Sequence, residues 1–177
     1  FYQILSLCKT PVASIGTLGI KKNKKLKIIG LTSPDIISLH KELYLLKKND
    51  IDNVIIEASS HGLDQHRIDN VRLSGAAFTS FSRDHLDYHK NMKQYLNAKK
   101  RLFTSLLEKD TTAVVNLIGI NRRYHGFIND ICSRNLITIG TSNATINLLG
   151  FSRSSNKKIN LKISVNGQLV VIETPFI

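Results

Sequence analysis

The chain lacks the marks of several protein classes. No apolar run approaches the roughly 18 residues of a membrane-spanning helix, and no signal-peptide pattern opens the sequence. Its two cysteines, Cys8 and Cys132, are far apart and fit no metal-ligand spacing, which argues against a disulfide framework and favours a reducing cytoplasm. Methionine occurs once, at Met92, and the first residue is Phe1, so a partial chain is the simplest reading. Acidic side chains are scarce, 13 against 25 lysines and arginines, giving a net charge of +12. Such a balance invites nucleic acid. The basic runs are dispersed, however, and lack the interleaved aromatics of a single-strand binder. A solvated basic surface, with an anionic substrate as a contributor, accounts for them better. No nucleic-acid or membrane partner is expected, and the chain reads as a monomer. What remains is an ordinary globular composition, 42% apolar and 21% charged over 177 residues, enough for one domain or most of one.

Strands and helices alternate along the chain. Phe1 to Cys8 reads as helix without an N-terminal cap, and Val12 to Ile15 as a strand ending in the turn Gly16-Thr17-Leu18-Gly19. A basic stretch leads to a strand over Leu26 to Ile29. Thr32-Ser33-Pro34-Asp35 then predicts a helix start with Ser33 as cap, and Ile36, Leu39, Leu43 and Leu46 carry the helix to about Lys48. Val54-Ile55-Ile56 and Ala76 to Phe81 read as strands of a parallel sheet, the former buried on both faces. Thr112 to Val115 and Leu136 to Ile139 are further strands, with a helix from Asn121 to Ser133 between them. Ile159, Leu161, Ile163 and Val165 alternate with polar residues before Asn166-Gly167, and Leu169 to Ile172 returns, a β-hairpin signature. The pattern predicts an α/β fold, a doubly wound and mostly parallel sheet with a C-terminal β-hairpin region.

In such sheets ligands gather at the carboxyl ends of the strands. Glu57 ends one strand, and Ser82 to His89 follows another, bringing Arg83, Asp84, His85, Asp87 and His89 together. The helix after this loop starts at Asn91, with Gln94 three residues on as a loose capping box. Its apolar stripe of Met92, Tyr95, Leu96, Leu102, Phe103 and Leu106 also carries Lys99, while Lys100 and Arg101 point off it. An ammonium on a core-facing stripe is costly unless paired, deprotonated or modified, which makes Lys99 a functional candidate. Glu57 and His85 suit part of a magnesium shell, and the polar run Glu57 to Arg67 suits a carboxylate or a sugar. Zinc is disfavoured: His85 and His89 have helical ligand spacing, but Leu86 stands where a glutamate is needed and no cysteine is near.

Two stretches, EASSHGLDQHRID from Glu57 and SFSRDHLDYHKNMKQYLNAKKRLF from Ser80, resemble the Mur ligase family, in its branch that adds the third residue of the peptidoglycan stem peptide. Ser14 to Gly19, Thr32-Ser33-Pro34 and Thr174 to Ile177 agree as well, so the likeness spans essentially the whole chain. The resemblance implies the central, ATP-binding domain of a cytoplasmic ligase that uses ATP and Mg2+. Its partners would be UDP-MurNAc-L-Ala-D-Glu and an amino acid, meso-diaminopimelate or L-lysine. By the same resemblance Glu57 and His85 are magnesium ligands, and Lys99 is carbamylated, an anion that helps fix the metal. Thr32, Ser33, Ser59, Gln65 and Arg67 hold the UDP-MurNAc-dipeptide, and Asn116 lies on the nucleotide side. The family's phosphate loop would precede Phe1, and its UDP-binding N-terminal and amino-acid-binding C-terminal domains are not in this sequence. Ser33 and Ser80 replace a threonine and an asparagine, and Ile118-Gly119 stands where an acidic pair is usual. The isolated chain is therefore expected to be inactive. A non-catalytic remnant and a folylpolyglutamate synthase-type ligase are the alternatives.

Overall fold

The computed structural model describes residues 1–22, 25–131, 133, 135–154 and 158–175. Cys132 and the Phe176-Ile177 end of the family motif lie outside these residues. The chain forms two compact units, Phe1–Arg72 with His85–Leu102, and Leu73–Asp84 with Phe103–Ile177.

The first unit holds helix α1 (Tyr2–Leu7), strands β1 (Val12–Gly16), β2 (Gly19–Lys22), β3 (Lys25–Lys27) and β4 (Asn53–Ile56), and helices α2 (Ile36–Lys48), α3 (Ser60–Asp64), α4 (Leu86–His89) and α5 (Met92–Arg101). Its sheet runs β3-β2-β1-β4, with β4 parallel to β1 and the other pairs antiparallel. The tight turn after Gly16 folds β2 back on β1, a pairing that the lysines of Gly19–Lys22 hide in the sequence. Val12, Ala13 and Ile15 of β1 are buried, as are Leu39 and Leu46 of α2. β4 is half-buried rather than enclosed on both faces.

Helix α2 starts later than expected. Asp35, not Ser33, is its cap, accepting from the Ser38 amide at 2.9 Å. Ser33 fails as a cap because its hydroxyl is engaged elsewhere, in the bonds described below. Asn91 does cap α5, accepting from the Gln94 amide at 3.0 Å, and the helix runs on into a π-helical turn over Leu102–Leu106.

The second unit holds β5 (Gly75–Phe78), β6 (Thr112–Asn116), β7 (Asn135–Gly140), β8 (Ile146–Ser154), β9 (Lys158–Val165) and β10 (Gln168–Pro175), ordered β10-β9-β8-β7-β6-β5. β5 to β8 pair in parallel, and β8 to β10 form an antiparallel meander that includes the expected hairpin. Beyond β5 the expected strand continues only as an isolated bridge from Phe81 to Ile120. The expected helix over 121–133 is a 3-10 segment, Arg122–Asp130. Phe78 is the centre of this core, its ring 4.8 Å from that of Phe127 and 5.9 Å from that of Phe103. Among the described residues no helix is long and apolar enough to cross a membrane.

Candidate functional site

Parallel pairing of β1 with β4 sends both carboxyl ends to one edge of the first unit's sheet, with Ile15 opposite Ile56. The Glu57 amide extends the ladder to the Ile15 carbonyl at 2.8 Å, which sets its side chain beside the turn after β1. There Glu57 Oε2 accepts from the Thr17 amide at 2.8 Å and from the Thr17 hydroxyl at 3.0 Å. Thr17 Oγ1 also lies 3.0 Å from Thr32 Oγ1. A β-carbon at Gly16 would fall 2.5 Å from Glu57 Oε2, so only glycine lets the carboxylate lie this close.

One residue further, Ser33 is 1% exposed and its hydroxyl is saturated. It donates to the Glu57 carbonyl at 3.0 Å and accepts from the Ser59 amide at 3.1 Å. Having spent its proton, it receives the Ser59 hydroxyl, 3.1 Å away, as a second donor. No capacity is left for a ligand, so Ser33 builds the site rather than lining it through its hydroxyl. Ser59 caps α3 by accepting from the Gly62 amide at 3.0 Å.

A hydrogen-bonded string extends the frame. Arg67 Nη1 donates to the Ser33 carbonyl at 2.9 Å, and Nη2 donates to Gln65 Oε1. Gln65 Nε2 donates to Tyr88 Oη at 3.1 Å, and Tyr88 donates to Asp64 at 2.8 Å. Hydrogen bonds thus join Ser33, Ser59, Gln65 and Arg67 to one another, and Thr32 to Glu57 through Thr17. Gln65 is exposed and Arg67 half-buried.

His85 begins α4 with left-handed backbone angles, φ 52 and ψ 28. Its ring meets that of His61 edge-on at 5.1 Å and that of Tyr95 at 5.6 Å. Lys99 is half-buried, with Nζ 5.1 Å from the centre of the Tyr95 ring. Two of the expected metal-side residues therefore share Tyr95, a side chain that periodicity marks only as core. Behind them His89 is buried, its Nε2 2.9 Å from Ser60 Oγ and its ring stacked on Tyr95 at 5.2 Å. Desolvation, reinforced by the His61, His85 and Lys99 charges, holds its pKa below the ordinary value of 6.5, against an opposing pull from Asp64.

Arg101 does not point away as the helical wheel suggests. It reaches Asp69 through both terminal nitrogens and the Leu63 carbonyl through one. Asp69 also meets His66 Nδ1 at 2.8 Å, and Arg101 first, then His66, hold its carboxyl below the usual range against desolvation. Nothing in the order of the residues signals this clamp, because Asp69 and Arg101 are 32 positions apart.

Asn116 lies in the second unit. Its Nδ2 donates to the Thr79 carbonyl at 3.1 Å and its Oδ1 accepts from the Ile118 amide at 3.2 Å, so its amide closes the loop after β6.

An exposed carboxylate oxygen is the kind of donor that a hard divalent cation takes. Glu57 is exposed, and its Oε1 accepts no hydrogen bond among the described residues, while His85 offers an imidazole. Magnesium commonly takes one or two protein ligands and completes its shell with water and phosphate. The described residues contain no group of three or more His, Cys, Asp or Glu able to hold a metal on their own.

The chain is similar to known proteins. A family model described as the Mur ligase middle domain matches residues 1–177. A UDP-N-acetylmuramoyl-L-alanyl-D-glutamate–2,6-diaminopimelate ligase of Zymomonas mobilis is 48% identical over 113 residues, covering 64% of this chain and 23% of that protein. The ligase of the same name from Anaplasma marginale is 36% identical over 171 residues, covering 95% of this chain and 35% of that protein. A solved ligase of that name superposes with a TM-score of 0.83 at 25% identity, covering 99% of this chain and 36% of its own. The MurF ligase of Thermotoga maritima shares the fold alone, with a TM-score of 0.65 at 10% identity and the same coverage. The chain thus spans between 23% and 35% of the length of these two curated relatives. On the match along its whole length, the chain belongs to the Mur ligase family, in its middle domain.

Proposed function

We propose that this chain supplies the central, ATP-handling part of a cytoplasmic ligase of peptidoglycan precursor synthesis. The reaction joins the D-glutamyl side carboxylate of UDP-MurNAc-L-Ala-D-Glu to the amino group of the third stem-peptide residue. The relatives' names favour 2,6-diaminopimelate over L-lysine as that residue. The γ-phosphoryl group of ATP passes to the carboxylate, ADP leaves, and the amine then displaces phosphate from the acyl phosphate. Such chemistry asks the protein for positioning and electrostatic stabilisation rather than a nucleophile of its own.

In this reading Thr32, Ser59, Gln65 and Arg67 face the UDP-MurNAc-dipeptide, with Ser33 fixing their frame. Asn116 shapes the loop on the nucleotide side. Glu57 and His85 hold magnesium, and Lys99, as a carbamate, adds a second anionic oxygen donor. The cation, when bound, supplies charge neutralisation at the phosphates.

The observation that carries the reading is the junction of Thr17, Thr32 and Glu57 at the carboxyl edge of β1 and β4, framed by the Ser33–Ser59 pair. It holds one oxygen of an exposed carboxylate on the neutral donors of Thr17 and leaves the other outward. The experiment is to exchange this chain for the matching segment of the Anaplasma marginale ligase and measure ATP-dependent joining of diaminopimelate to UDP-MurNAc-L-Ala-D-Glu. A folded chimaera that turns over supports the reading. A folded chimaera that binds neither nucleotide nor UDP-MurNAc-dipeptide overturns it in favour of a remnant.

A further inference from the structure

Thr17, in the turn Gly16-Thr17-Leu18-Gly19, belongs to the junction that carries the reading but has no role of its own there, although it bonds both Glu57 and Thr32. We propose that Thr17 is a positioning residue that orients Glu57 for a divalent cation and fixes the polarity of Thr32. The inference rests on the reading of Glu57 as a cation ligand.

The directions of the hydrogen bonds follow from proton counting. An ionised carboxylate only accepts, so the Thr17 amide and hydroxyl both donate to Glu57 Oε2, at 2.8 and 3.0 Å. Thr17 has one hydroxyl proton, and Glu57 takes it. The 3.0 Å bond between Thr17 Oγ1 and Thr32 Oγ1 therefore has Thr32 as donor.

Two consequences follow. With Oε2 held twice, the carboxylate cannot rotate without breaking both bonds, and Oε1 is left outward with no protein partner among the described residues. That is the arrangement of a monodentate ligand with its outer-shell donor in place. Thr32, its proton spent on Thr17, meets a ligand with lone pairs only. The group it recognises is an N–H or O–H donor, such as a sugar hydroxyl or an amide, and not a bare phosphate or carboxylate oxygen.

Gly16 supports the same view from the backbone. The closeness that puts Thr17 on Oε2 excludes any side chain at position 16, since its β-carbon would lie 2.5 Å from that oxygen and 2.9 Å from Glu57 Cβ.

The test titrates Mn2+ into the chimaeric ligase that carries this chain, in the presence of a non-hydrolysable ATP analogue, reading free Mn2+ by electron paramagnetic resonance. Wild type, Thr17→Val, Thr17→Ser and Glu57→Gln are compared, each with its circular dichroism and melting curve. Thr17→Val keeps the shape and the amide bond but loses the hydroxyl, and it should weaken Mn2+ binding about 10-fold, the lower end of outer-shell effects. Thr17→Ser should restore binding to near wild type. If Glu57→Gln weakens binding while Thr17→Val does not, or if Thr17→Ser is as weak as Thr17→Val, the positioning role is overturned. If wild type and Glu57→Gln bind alike, or neither binds, the assignment of Glu57 as a cation ligand falls, and the inference with it.

Discussion

Arg101 grips Asp69 with two parallel bonds, Nη1 to Oδ1 and Nη2 to Oδ2, each 2.6 Å long. The pair ties the end of α5, the helix that carries Lys99, to the segment after α3. Paired charge-assisted bonds fix orientation as well as distance.

Asp69→Asn should therefore destabilise the chain by about 1–3 kcal/mol at neutral pH, the range for hydrogen bonds to charged groups. The folded-state pKa of Asp69 is depressed below 3.8, its ordinary value, chiefly by Arg101. Its contribution is accordingly full above that ordinary value and is lost as pH falls through the depressed one. Urea unfolding of both proteins at pH 7 and pH 3 checks this: the gap should narrow on acidification. An equal gap at both pH values would show that the carboxylate charge is irrelevant to the clamp.

His89 of α4 bonds Ser60 of α3 and stacks on Tyr95 of α5, and its pKa is lowered mainly by burial. The folded state thus prefers the neutral ring, while the unfolded state takes up a proton near the ordinary 6.5. Stability from His89 is full above 6.5 and falls as pH drops through the lower folded value. Melting curves from pH 8 to pH 5 should show a decline that His89→Gln lacks, the amide still reaching Ser60. A decline of equal slope in the variant would assign it to other groups.

Much of the fold was legible in the sequence: the apolar run Val54 to Ile56 and the alternation from Ile159 to Val165 mark β4 and β9 as strands, although both are half-buried. The hairpin at Asn166-Gly167 and the Asn91 cap are likewise local devices, readable from a few adjacent residues. What stayed hidden depends on distant partners. Ser33 looks like a helix cap by position, but Glu57 and Ser59, more than twenty residues on, claim its hydroxyl and leave the cap to Asp35. The lysines of β2 conceal a strand whose Gly19 and Ile20 are buried, whereas β3, expected over 26–29, is found at Lys25–Lys27. In the site, Glu57 stands out at a strand end, whereas Thr17 and Tyr95 matter only through what the folded chain sets against them.

Gly62 offers a test of how tightly the frame is built. Alanine in place of a helical glycine ordinarily gains about 1 kcal/mol. Here the added β-carbon would fall 2.6 Å from Ser33 Cβ and 2.8 Å from its Oγ. Ser33 is buried and fully bonded, so it cannot move aside without losing its bonds to Glu57 and Ser59. Overpacking costs about 1–3 kcal/mol, and each lost hydrogen bond adds about 1. Gly62→Ala should thus be destabilised by about 2–4 kcal/mol in urea unfolding. A more stable variant would mean that the Ser33–Ser59 contact is loose.

Lys99 lies with its ammonium against the Tyr95 ring, on the same ring that borders His85. An ammonium cannot ligate a cation, whereas the carbamate proposed for Lys99 would add two oxygens beyond Nζ. In the chimaeric ligase Lys99→Ala should lower turnover at least about 100-fold, the scale of losing one preorganised electrostatic group. Formate or acetate at millimolar concentrations should restore part of it by supplying the missing carboxylate. Lys99→Met, which keeps the contact with Tyr95, separates packing from charge: it should fold as wild type and still be inactive. Full turnover by Lys99→Met would remove Lys99 from the chemistry and leave it as a packing residue of α5.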